Sequence, residues 1–528
     1  MSLSSHVSDQ SAKATIGHLA RFVEVSHDTP KHKMPERTMT GQAAASIIRS
    51  ELRLDGNPNL NLASFVTTEV DRECLDLMIE NLNKNLADTS QYGHSSEIQD
   101  RCVNILADLF HAPPDNEGGA VGTATIGSSE AIMLGGLALK WRWRAQQAAR
   151  QGKKPEEITT RCNLIFSAAV HVSVLKLCRY FDIDARIIPL EHNRYTLDID
   201  QAISQCDENS CGVVAILGTT LTGEFEDIKR LNNALLKLKA KKGLDIPIHV
   251  DGASGAMVAP FVFPDVEWDF RLEQVRSINT SGHKYGLVLP GLGWIIWRRK
   301  EDLPEDLIFH VNYLGVDEAT FNLNFSRSAA SIIGQYYQFL CLGVEGYTRI
   351  MQLAVDNAKY LAESLTSMSE GLLIVHSQND KPSLPMIAFS LNPAKSLKFN
   401  ETTFVHWLRE RGWIVPVYTL AANASDITVC RIVVRENFTR NIASMLLEDI
   451  RLVLVALADH HGHQDLVASL KAARDDQHQH RRSKQHAERV AQMIQSNQEV
   501  GGNHGDVKKA DKTGKEKKDK HRTVHTIC

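Results

Sequence analysis

The chain lacks a long apolar run and carries little net charge. None of its 528 residues lies in an uninterrupted apolar stretch long enough to cross a bilayer, and the first residues, MSLSSHVSDQSAKATIGH, contain no apolar signal-peptide core. The formal net charge of -4 is nearly neutral for this length and indicates no surface for nucleic acid or membrane. We therefore expect a cytoplasmic protein that binds neither.

Cysteine is present without the spacing of a disulfide framework or a zinc site. The nine cysteines include no CxxC pair and follow no regular interval. This pattern favours a reducing compartment and supplies no candidate ligands for a metal ion.

Length and composition predict a globular protein of several domains. A chain of 528 residues with 43% hydrophobic and 23% charged residues is too long for one compact core. We predict an N-terminal helical segment over residues 1–58, a large domain over 59–350, a smaller α+β domain over 351–463 and a tail over 464–528. The helix in the first segment should stop at Gly56, and a long amphipathic helix should begin near Val344.

The large domain has the pattern of an α/β fold. Short apolar runs alternate with helical segments, which is typical of a mainly parallel sheet buried on both faces. The clearest runs are NLIFS from Asn163, VVAILG from Val213, IPIHVD from Ile246, VRSINTSG from Val275 and LGWIIWRR from Leu292. In the smaller domain, the predicted strands are GLLIVH, MIAFSL, WIVPVY and ITVCRIVV.

One motif has the features of a phosphate site. In TIGSSEAIMLGG, a helical pattern starts near Glu130, directly after Gly127, Ser128 and Ser129. Free N–H groups, the positive end of a helix dipole and two hydroxyls can together bind phosphate. An ordinary serine N-cap is the alternative.

Two further motifs follow predicted strands. Asp251 ends the strand of IPIHVDGASG, where α/β sheets bind ligands and where a carboxylate could pair with a protonated pyridine nitrogen. His283 and Lys284 follow VRSINTSG on a glycine-flanked loop, where a lysine of lowered pKa could form an imine. The alternatives are an aspartate that caps a turn and a lysine on a solvated loop.

Phosphate motif, aspartate and lysine occur in the chain order of fold-type I pyridoxal-phosphate (PLP) enzymes, which the sequence resembles. The resemblance becomes specific in LDGNPNLNLASFVTT, NKNLAD, RCVNILADLFHAP, TGEFEDI, HVDGASG, SGHKYGLVLPGLGWIIWR and FNLNFSRSA. From about Glu51 to about Asp459 these segments are similar to the glutamate decarboxylases of plants, fungi and bacteria. That family implies PLP as cofactor, decarboxylation of L-glutamate to 4-aminobutanoate, and a homo-oligomer of at least two subunits, with the size beyond a dimer, such as a hexamer, left open.

The resemblance also implies roles for single residues. Those that would contact the cofactor are Ser128, Ser129, His171, Thr220, Asp251, Ser281, His283, Lys284 and, from a neighbouring subunit, Ser326 with Phe325. Those that would contact the distal carboxylate of the substrate are Ser64, Phe65 and Asp88. The catalytic set would be Lys284, His283, His171 and Asp251, with the proton donor open between His283, Lys284 and the loop at Tyr313 and Leu314.

Arg431 has a physical argument of its own. In ITVCRIVV it shares a strand face with Ile427, Val429 and Val433, and an arginine on a buried apolar face needs an anion. In the resembling family, the matching arginine binds the α-carboxylate of the substrate. A structural salt bridge is the alternative.

Three departures from the family leave the substrate open. His171 stands where the bacterial and plant enzymes have glutamine, Glu69 replaces a tryptophan, and Ser90-Gln91-Tyr92-Gly93 replaces an acidic-Tyr-Pro stretch. A decarboxylase for another acidic or aromatic amino acid is therefore the first alternative. A silent, partner-binding paralogue is the second.

The tail is polar, basic and rich in histidine. Calmodulin targets need spaced bulky anchors, and the stretch from Lys508 to Arg522 has none, so we expect a solvated tail instead of a calmodulin site. Histidines titrate near neutral pH, so the tail is also a candidate for pH-dependent gating. Its histidines are His478, His480, His486, His504, His521 and His525.

Overall fold

The computed structural model describes residues 31–36, 38–114, 120–311, 318–369, 371–377 and 380–472. The predicted tail and the loop at Tyr313 and Leu314 lie outside these residues, apart from the first residues of the tail. The domain boundaries at residues 58, 350 and 463 stay predictions.

Eleven α-helices are named here among the described residues. They are α1 (Gly41–Leu52), α2 (Arg72–Glu80), α3 (Gly93–Leu109), α4 (Ser128–Gln151), α5 (Val172–Tyr180), α6 (Ile199–Ser204), α7 (Ile228–Lys242), α8 (Ala259–Val262), α9 (Ala330–Met368), α10 (Glu401–Glu410) and α11 (Arg440–His460).

A seven-stranded sheet forms the centre of the fold, in the order β1-β7-β6-β5-β4-β2-β3. Its strands are β1 (Val121–Thr125), β2 (Asn163–Ser167), β3 (Asp184–Ile188), β4 (Ser210–Ile216), β5 (Ile248–Asp251), β6 (Val275–Thr280) and β7 (Gly293–Trp297). Every residue of β2, β4, β5 and β7 is buried. The prediction of an α/β fold with a mainly parallel sheet is confirmed.

The prediction that the LGWIIWRR strand follows the parallel pattern is wrong, because β7 runs antiparallel to both β6 and β1. The connection from β6 to β7 contains no helix, and an antiparallel neighbour needs none, whereas a parallel neighbour is usually reached through a crossover helix. Apolar content alone cannot distinguish the two cases, because β7 is as buried as its parallel neighbours. The sequence analysis also missed β1 and β3 as strands.

A four-stranded antiparallel sheet follows later in the chain. It consists of β10 (Leu373–Val375), β11 (Met386–Leu391), β12 (Val417–Thr419) and β13 (Thr428–Val433), in the order β10-β11-β13-β12. Three of the runs predicted for the smaller domain coincide with β10, β11 and β13, whereas the run WIVPVY overlaps β12 only at Val417 and Tyr418. A separate two-stranded sheet pairs β8 (Phe309–Val311) with β9 (Glu318–Thr320).

The first helix ends earlier than predicted. Its last residue is Leu52 and not a residue beside Gly56, because the chain turns there toward the small sheet. Leu62 N–H donates to Ile414 O at 2.9 Å, and Ile414 N–H donates to Leu60 O at 3.0 Å. Gly56 packs against the Ile414 side chain. Glycine is therefore needed at this position for a close contact, and it does not end the helix.

The long helix α9 contains a break at the place where its start was predicted. It begins at Ala330, and Gly343 interrupts the helical backbone with φ 55° and ψ -169°. This region of backbone space is accessible almost only to glycine. The segment from Val344 onward is therefore a second helical piece, which the amphipathic pattern detected.

No helix within the described residues is both long enough and apolar enough to cross a membrane.

We expect Gly343→Ala to lower the free energy of unfolding by about 1–3 kcal/mol, because a Cβ is strained in this backbone conformation. No atom crowds the position, so the loss would report backbone strain alone. Urea denaturation of the purified protein measures it. Gly93→Ala, at the uncrowded start of α3, is the control and should be neutral or slightly stabilising. Equal stabilities for the two variants would contradict this account of the break.

Candidate active site

The carboxyl ends of five sheet strands surround one cavity of about 520 Å³. In open α/β sheets this edge is where ligands bind, because the loops that follow parallel strands converge there. The predicted residues that line the cavity are Ser128 and Ser129 after β1, His171 after β2, Thr220 after β4, Asp251 at the end of β5, and Ser281, His283 and Lys284 after β6.

The N-terminus of α4 forms an anion-binding corner of this cavity. The N–H groups of Ser128 and Ser129 have no acceptor among the described residues, and Ser128 Oγ lies 2.6 Å from Ser281 Oγ. Unpaired N–H groups at the positive end of a helix suit a phosphate. The alternative of an ordinary serine N-cap is wrong, because Gly127 is the N-cap and no side chain caps the helix.

A glycine in β7 lets the strand pack directly beneath this corner. A Cβ on Gly293 would lie only 2.6 Å from Ser128 N. Any larger residue would therefore displace the backbone that carries the free N–H groups. The anion-binding corner therefore depends on the absence of a side chain at Gly293 as well as on Ser128 and Ser129.

The Asp251 carboxylate has one oxygen engaged and one that points to no protein donor. Asp251 is 5% exposed. Its Oδ1 accepts from Ala253 N–H at 3.1 Å and from Asn279 Nδ2 at 3.0 Å. The turn-capping alternative is thus correct for Oδ1, while Oδ2 has no hydrogen bond within the described residues and remains available to a ligand.

The Lys284 amine lies in an apolar, cationic environment. Its Nζ donates to Ser254 Oγ at 3.3 Å and lies 5.5 Å from the centre of the Phe65 ring. Burial lowers the pKa of Lys284, and Arg431 lowers it further, while Asp251 acts in the opposite direction. A larger fraction of neutral amine than on a solvated lysine is what a nucleophilic role requires.

Both histidines of the predicted catalytic set border the cavity. Leu292 N–H donates to His283 Nδ1 at 3.2 Å, which places the proton of the neutral ring on Nε2. Burial, and then the charge of Lys284, lower the pKa of His283 to about 4. At His171, Nδ1 lies 2.5 Å from Ser173 Oγ, and burial is the largest cause of its lowered pKa.

Arg431 has carbonyl partners, not a carboxylate. It donates to Thr220 O and to Ala63 O, each at 2.7 Å. Its buried Nε has no hydrogen-bond partner, and its guanidinium lies 5.0 Å from the centre of the Phe65 ring. The alternative of a structural salt bridge is wrong among the described residues, and the charge is left available to an anion.

The predicted substrate residues separate into two groups. Phe65 lies against both Lys284 and Arg431, with Ser64 beside it in the chain. Like Ser64, Phe65 and Arg431, Asp88 and Ser326 do not line the cavity of their own chain. Asp88 and Ser326 lie near one another through Asn85, which donates to Ser326 Oγ at 3.4 Å and accepts from Asp88 N–H at 3.1 Å.

Glu130 and the segment that it holds are site residues that the sequence did not reveal. Glu130 is 4% exposed, and its Oε1 accepts from Leu323 N–H at 3.0 Å and Asn324 N–H at 3.1 Å. Leu323 and Asn324 thereby reach the cavity. No local signal marks them, because they return from almost 200 residues further along the chain.

Two polar residues of the sheet were also missed, although the sequence did contain a signal for them. Asn279 binds Asp251, and His249 binds Asn279 in turn, at 2.9 Å. Polar residues at alternate positions of an otherwise apolar strand indicate a buried network on one face.

No group of three or more His, Cys, Asp or Glu side chains within the described ranges is placed to hold a metal ion.

The chain is similar to known decarboxylases over most of its length. The model of the pyridoxal-dependent decarboxylase conserved domain matches residues 30–392. The chain is 46% identical over 454 residues to a glutamate decarboxylase of Petunia hybrida, covering 86% of this chain and 88% of that protein. It is 47% identical over 433 residues to one of Solanum lycopersicum, covering 82% and 84%.

A solved structure shows the same architecture. Glutamate decarboxylase of Lactobacillus brevis superposes with a TM-score of 0.77 at 39% identity, covering 82% of this chain and 96% of that one.

We expect the stability of the fold to fall as the pH drops from about 6.5 to about 4, partly through His283. In that window the unfolded chain binds a proton at this histidine, whereas the folded chain does not, so acid favours unfolding. His283→Gln should reduce this pH dependence, as measured by urea denaturation at pH 7 and pH 5. The exposed His406→Gln is the control; an unchanged profile for His283→Gln would refute the assignment.

Proposed function

The chain belongs to the pyridoxal-dependent decarboxylase family, and on that premise we propose that it removes the α-carboxylate of L-glutamate, releasing CO₂ and 4-aminobutanoate. The observation that carries the proposal is an amine of lowered pKa, Lys284, that faces the same cavity as Asp251. The choice of L-glutamate as substrate is inferred from glutamate decarboxylases that are 46–47% identical over most of the chain.

The cavity fits pyridoxal phosphate at three points. The unpaired N–H groups and hydroxyls of Ser128 and Ser129 suit its phosphate, Lys284 its aldehyde, and the free oxygen of Asp251 its ring nitrogen. When bound, the cofactor supplies an aldehyde that captures amines and a ring that withdraws electrons from the bond to be broken. Thr220 and His171 line the remaining wall.

Lys284 and Asp251 perform opposite electrostatic tasks. The lowered pKa of Lys284 makes its nitrogen nucleophilic, so that it would hold the aldehyde carbon of the cofactor. Asp251 would face the ring nitrogen with the oxygen that has no hydrogen bond among the described residues, and its negative charge would favour a proton on that nitrogen. Asn279 and the Ala253 N–H prevent that carboxylate from rotating.

Arg431 orients the bond that breaks. Its two carbonyl bonds and the neighbouring Phe65 ring hold the guanidinium near Lys284. No carboxylate among the described residues neutralises its charge, which would therefore attract the α-carboxylate. Decarboxylation requires that carboxylate to stand perpendicular to the cofactor ring, so a fixed cation selects the reaction. The proton that replaces CO₂ can come from Lys284, from His283 or from the loop at Tyr313 and Leu314.

His171 favours a second candidate substrate class. A histidine on the cavity wall replaces an amide by an aromatic ring, which can contact an aromatic substrate, so another acidic or an aromatic amino acid is the second candidate. Glu69, which also departs from the family pattern, does not line the cavity. Its Oε1 accepts a hydrogen bond from Asn59 Nδ2 at 2.9 Å. Of these changes, His171 is therefore the one that lies in the cavity wall.

We expect Lys284→Ala to abolish CO₂ release from L-glutamate and the visible absorption of the bound cofactor, because no other amine occupies this position. Lys284→Arg should be equally inactive, since it retains the charge without a nucleophilic amine. The exposed Lys176→Ala is the matched control and should retain both signals. Turnover by purified Lys284→Ala would sink the assignment.

The same assay separates the substrate classes. Removing one methylene from the substrate costs about 10- to 200-fold in specificity, so wild-type kcat/KM should be lower for L-aspartate by that factor. Faster release of CO₂ from aspartate or from an aromatic amino acid would show that this amino acid, and not glutamate, is the preferred substrate. Absence of bound cofactor would favour the silent paralogue.

We further propose a cytoplasmic homo-oligomer, at least a dimer, whose subunits share their active sites. Large apolar side chains are exposed around the cavity: Ile126 at 51%, Val172 at 50% and Leu323 at 47%. A second subunit that covers them would remove this surface from water. In that arrangement Ser326 and Asp88, which lie outside their own cavity, would serve the neighbour's.

Mixing two inactive variants tests the shared site. Ser326→Asp should be inactive, because its carboxylate would repel the cofactor phosphate, and Lys284→Ala lacks the amine. After subunit exchange, mixed dimers have one intact site, so about a quarter of wild-type activity should return if assembly is random. No recovery, despite mixed dimers in native mass spectrometry, would place Ser326 in its own subunit's site.

A further inference from the structure

Four buried polar side chains occupy one face of the sheet behind the cavity. His249 and Asp251 alternate on β5 and therefore project to the same side. The strand register places Ser277 of β6 opposite His249 and Asn279 opposite Asp251. His249, Ser277 and Asn279 are each at most 1% exposed, so water cannot satisfy their polar atoms.

A continuous chain of hydrogen bonds joins these side chains. Ser277 Oγ lies 2.7 Å from His249 Nδ1, His249 Nε2 lies 2.9 Å from Asn279 Oδ1, and Asn279 Nδ2 lies 3.0 Å from Asp251 Oδ1. Two of the contacts run between residues that are paired across the strands. The contact of His249 with Asn279 is diagonal and connects the two pairs.

The chemistry of the groups fixes the direction of this chain. A carboxylate only accepts, so Asn279 must turn its amide nitrogen toward Asp251 and its oxygen toward His249. His249 Nε2 must then donate. Burial lowers the pKa of His249 to about 4, so at neutral pH the ring is uncharged and its Nδ1 accepts from the Ser277 hydroxyl.

Helix α4 makes room for the histidine. A Cβ on Gly135 would lie 2.6 Å from His249 Cε1 and 2.7 Å from Nδ1. The ring therefore packs directly against the helix backbone. The same helix presents Ser128 and Ser129 at its N-terminus, so the phosphate corner and the histidine are held by one rigid element.

We propose that His249 is a positioning residue, which through Asn279 aims the free oxygen of Asp251 at the ring nitrogen of the cofactor. An asparagine amide can rotate by half a turn at little cost unless its neighbours distinguish oxygen from nitrogen. Asp251 already favours the amide nitrogen, and His249 holds the amide in that orientation from its other end, because its Nε2–H donates to the Asn279 oxygen. Without His249 the amide is held at one end only, so Asp251 and its free oxygen are positioned less firmly. The inference rests on the proposed function, since it assigns the cofactor to this cavity.

The test compares two replacements of the histidine. His249→Leu removes the donor, whereas His249→Gln places an amide nitrogen near the position of Nε2. Outer partners that orient a ligand group are commonly worth 10- to 100-fold. We expect His249→Leu to weaken binding of pyridoxal phosphate to the cofactor-free protein, and to lower kcat for glutamate, each by about tenfold, with KM within about twofold. His249→Gln should recover most of both losses.

Two further variants distinguish a loss of positioning from a folding defect. Ser277→Ala removes one small group and leaves the histidine free to change its protonated nitrogen, so a loss of about threefold in cofactor affinity is expected. Asn163→Leu is the matched control, because it breaks a buried network at the other end of the same sheet, with Asp207 at 3.0 Å and Ser210 at 2.8 Å. It should lower thermal stability without changing cofactor affinity.

Wild-type affinity in both His249→Leu and Ser277→Ala would overturn the proposal. So would an equal loss of affinity in Asn163→Leu, because the effect would then be structural. A wild-type protein that binds the cofactor but releases no CO₂ from glutamate would defeat the proposed function alone, and the affinity comparison would still decide the role of His249.

Discussion

The chemistry of this protein depends on an amine and a carboxylate that neighbouring strands bring to one cavity. β5 ends at Asp251, and β6 is followed by Lys284, and because the two strands are parallel their ends lie at the same edge. Neither group would be useful alone. The amine needs a low-dielectric site to become nucleophilic, and the carboxylate needs a partner whose proton it can hold.

The surroundings of this pair are formed mainly by backbone and apolar groups. Gly293 and Gly135 permit the close approach of a strand and a histidine to α4, so the helix can serve as a common support. The Phe65 ring lies against both Lys284 and Arg431 and keeps water from two cations. Excluding water strengthens the electrostatic interactions within the site.

The two sheets contribute different parts of the reaction. The large parallel sheet supplies the residues for the cofactor, and the small antiparallel sheet supplies Arg431, whose carbonyl partners Thr220 and Ala63 belong to other segments. Binding of the cofactor and orientation of the substrate can therefore vary separately.

The fold class, the family and the eight predicted cofactor residues that line the cavity could be read from the sequence, because buried strands, helix starts and motif order are local patterns. The reversed direction of β7, the break at Gly343 and the network from Ser277 to Asp251 became visible only in the folded chain. So did the role of Glu130, which brings Leu323 and Asn324 to the cavity, and the position of the predicted substrate residues outside its lining. The physical reason is that strand direction and register, and the return of distant segments, are set by contacts between residues far apart in the chain, which no local pattern contains.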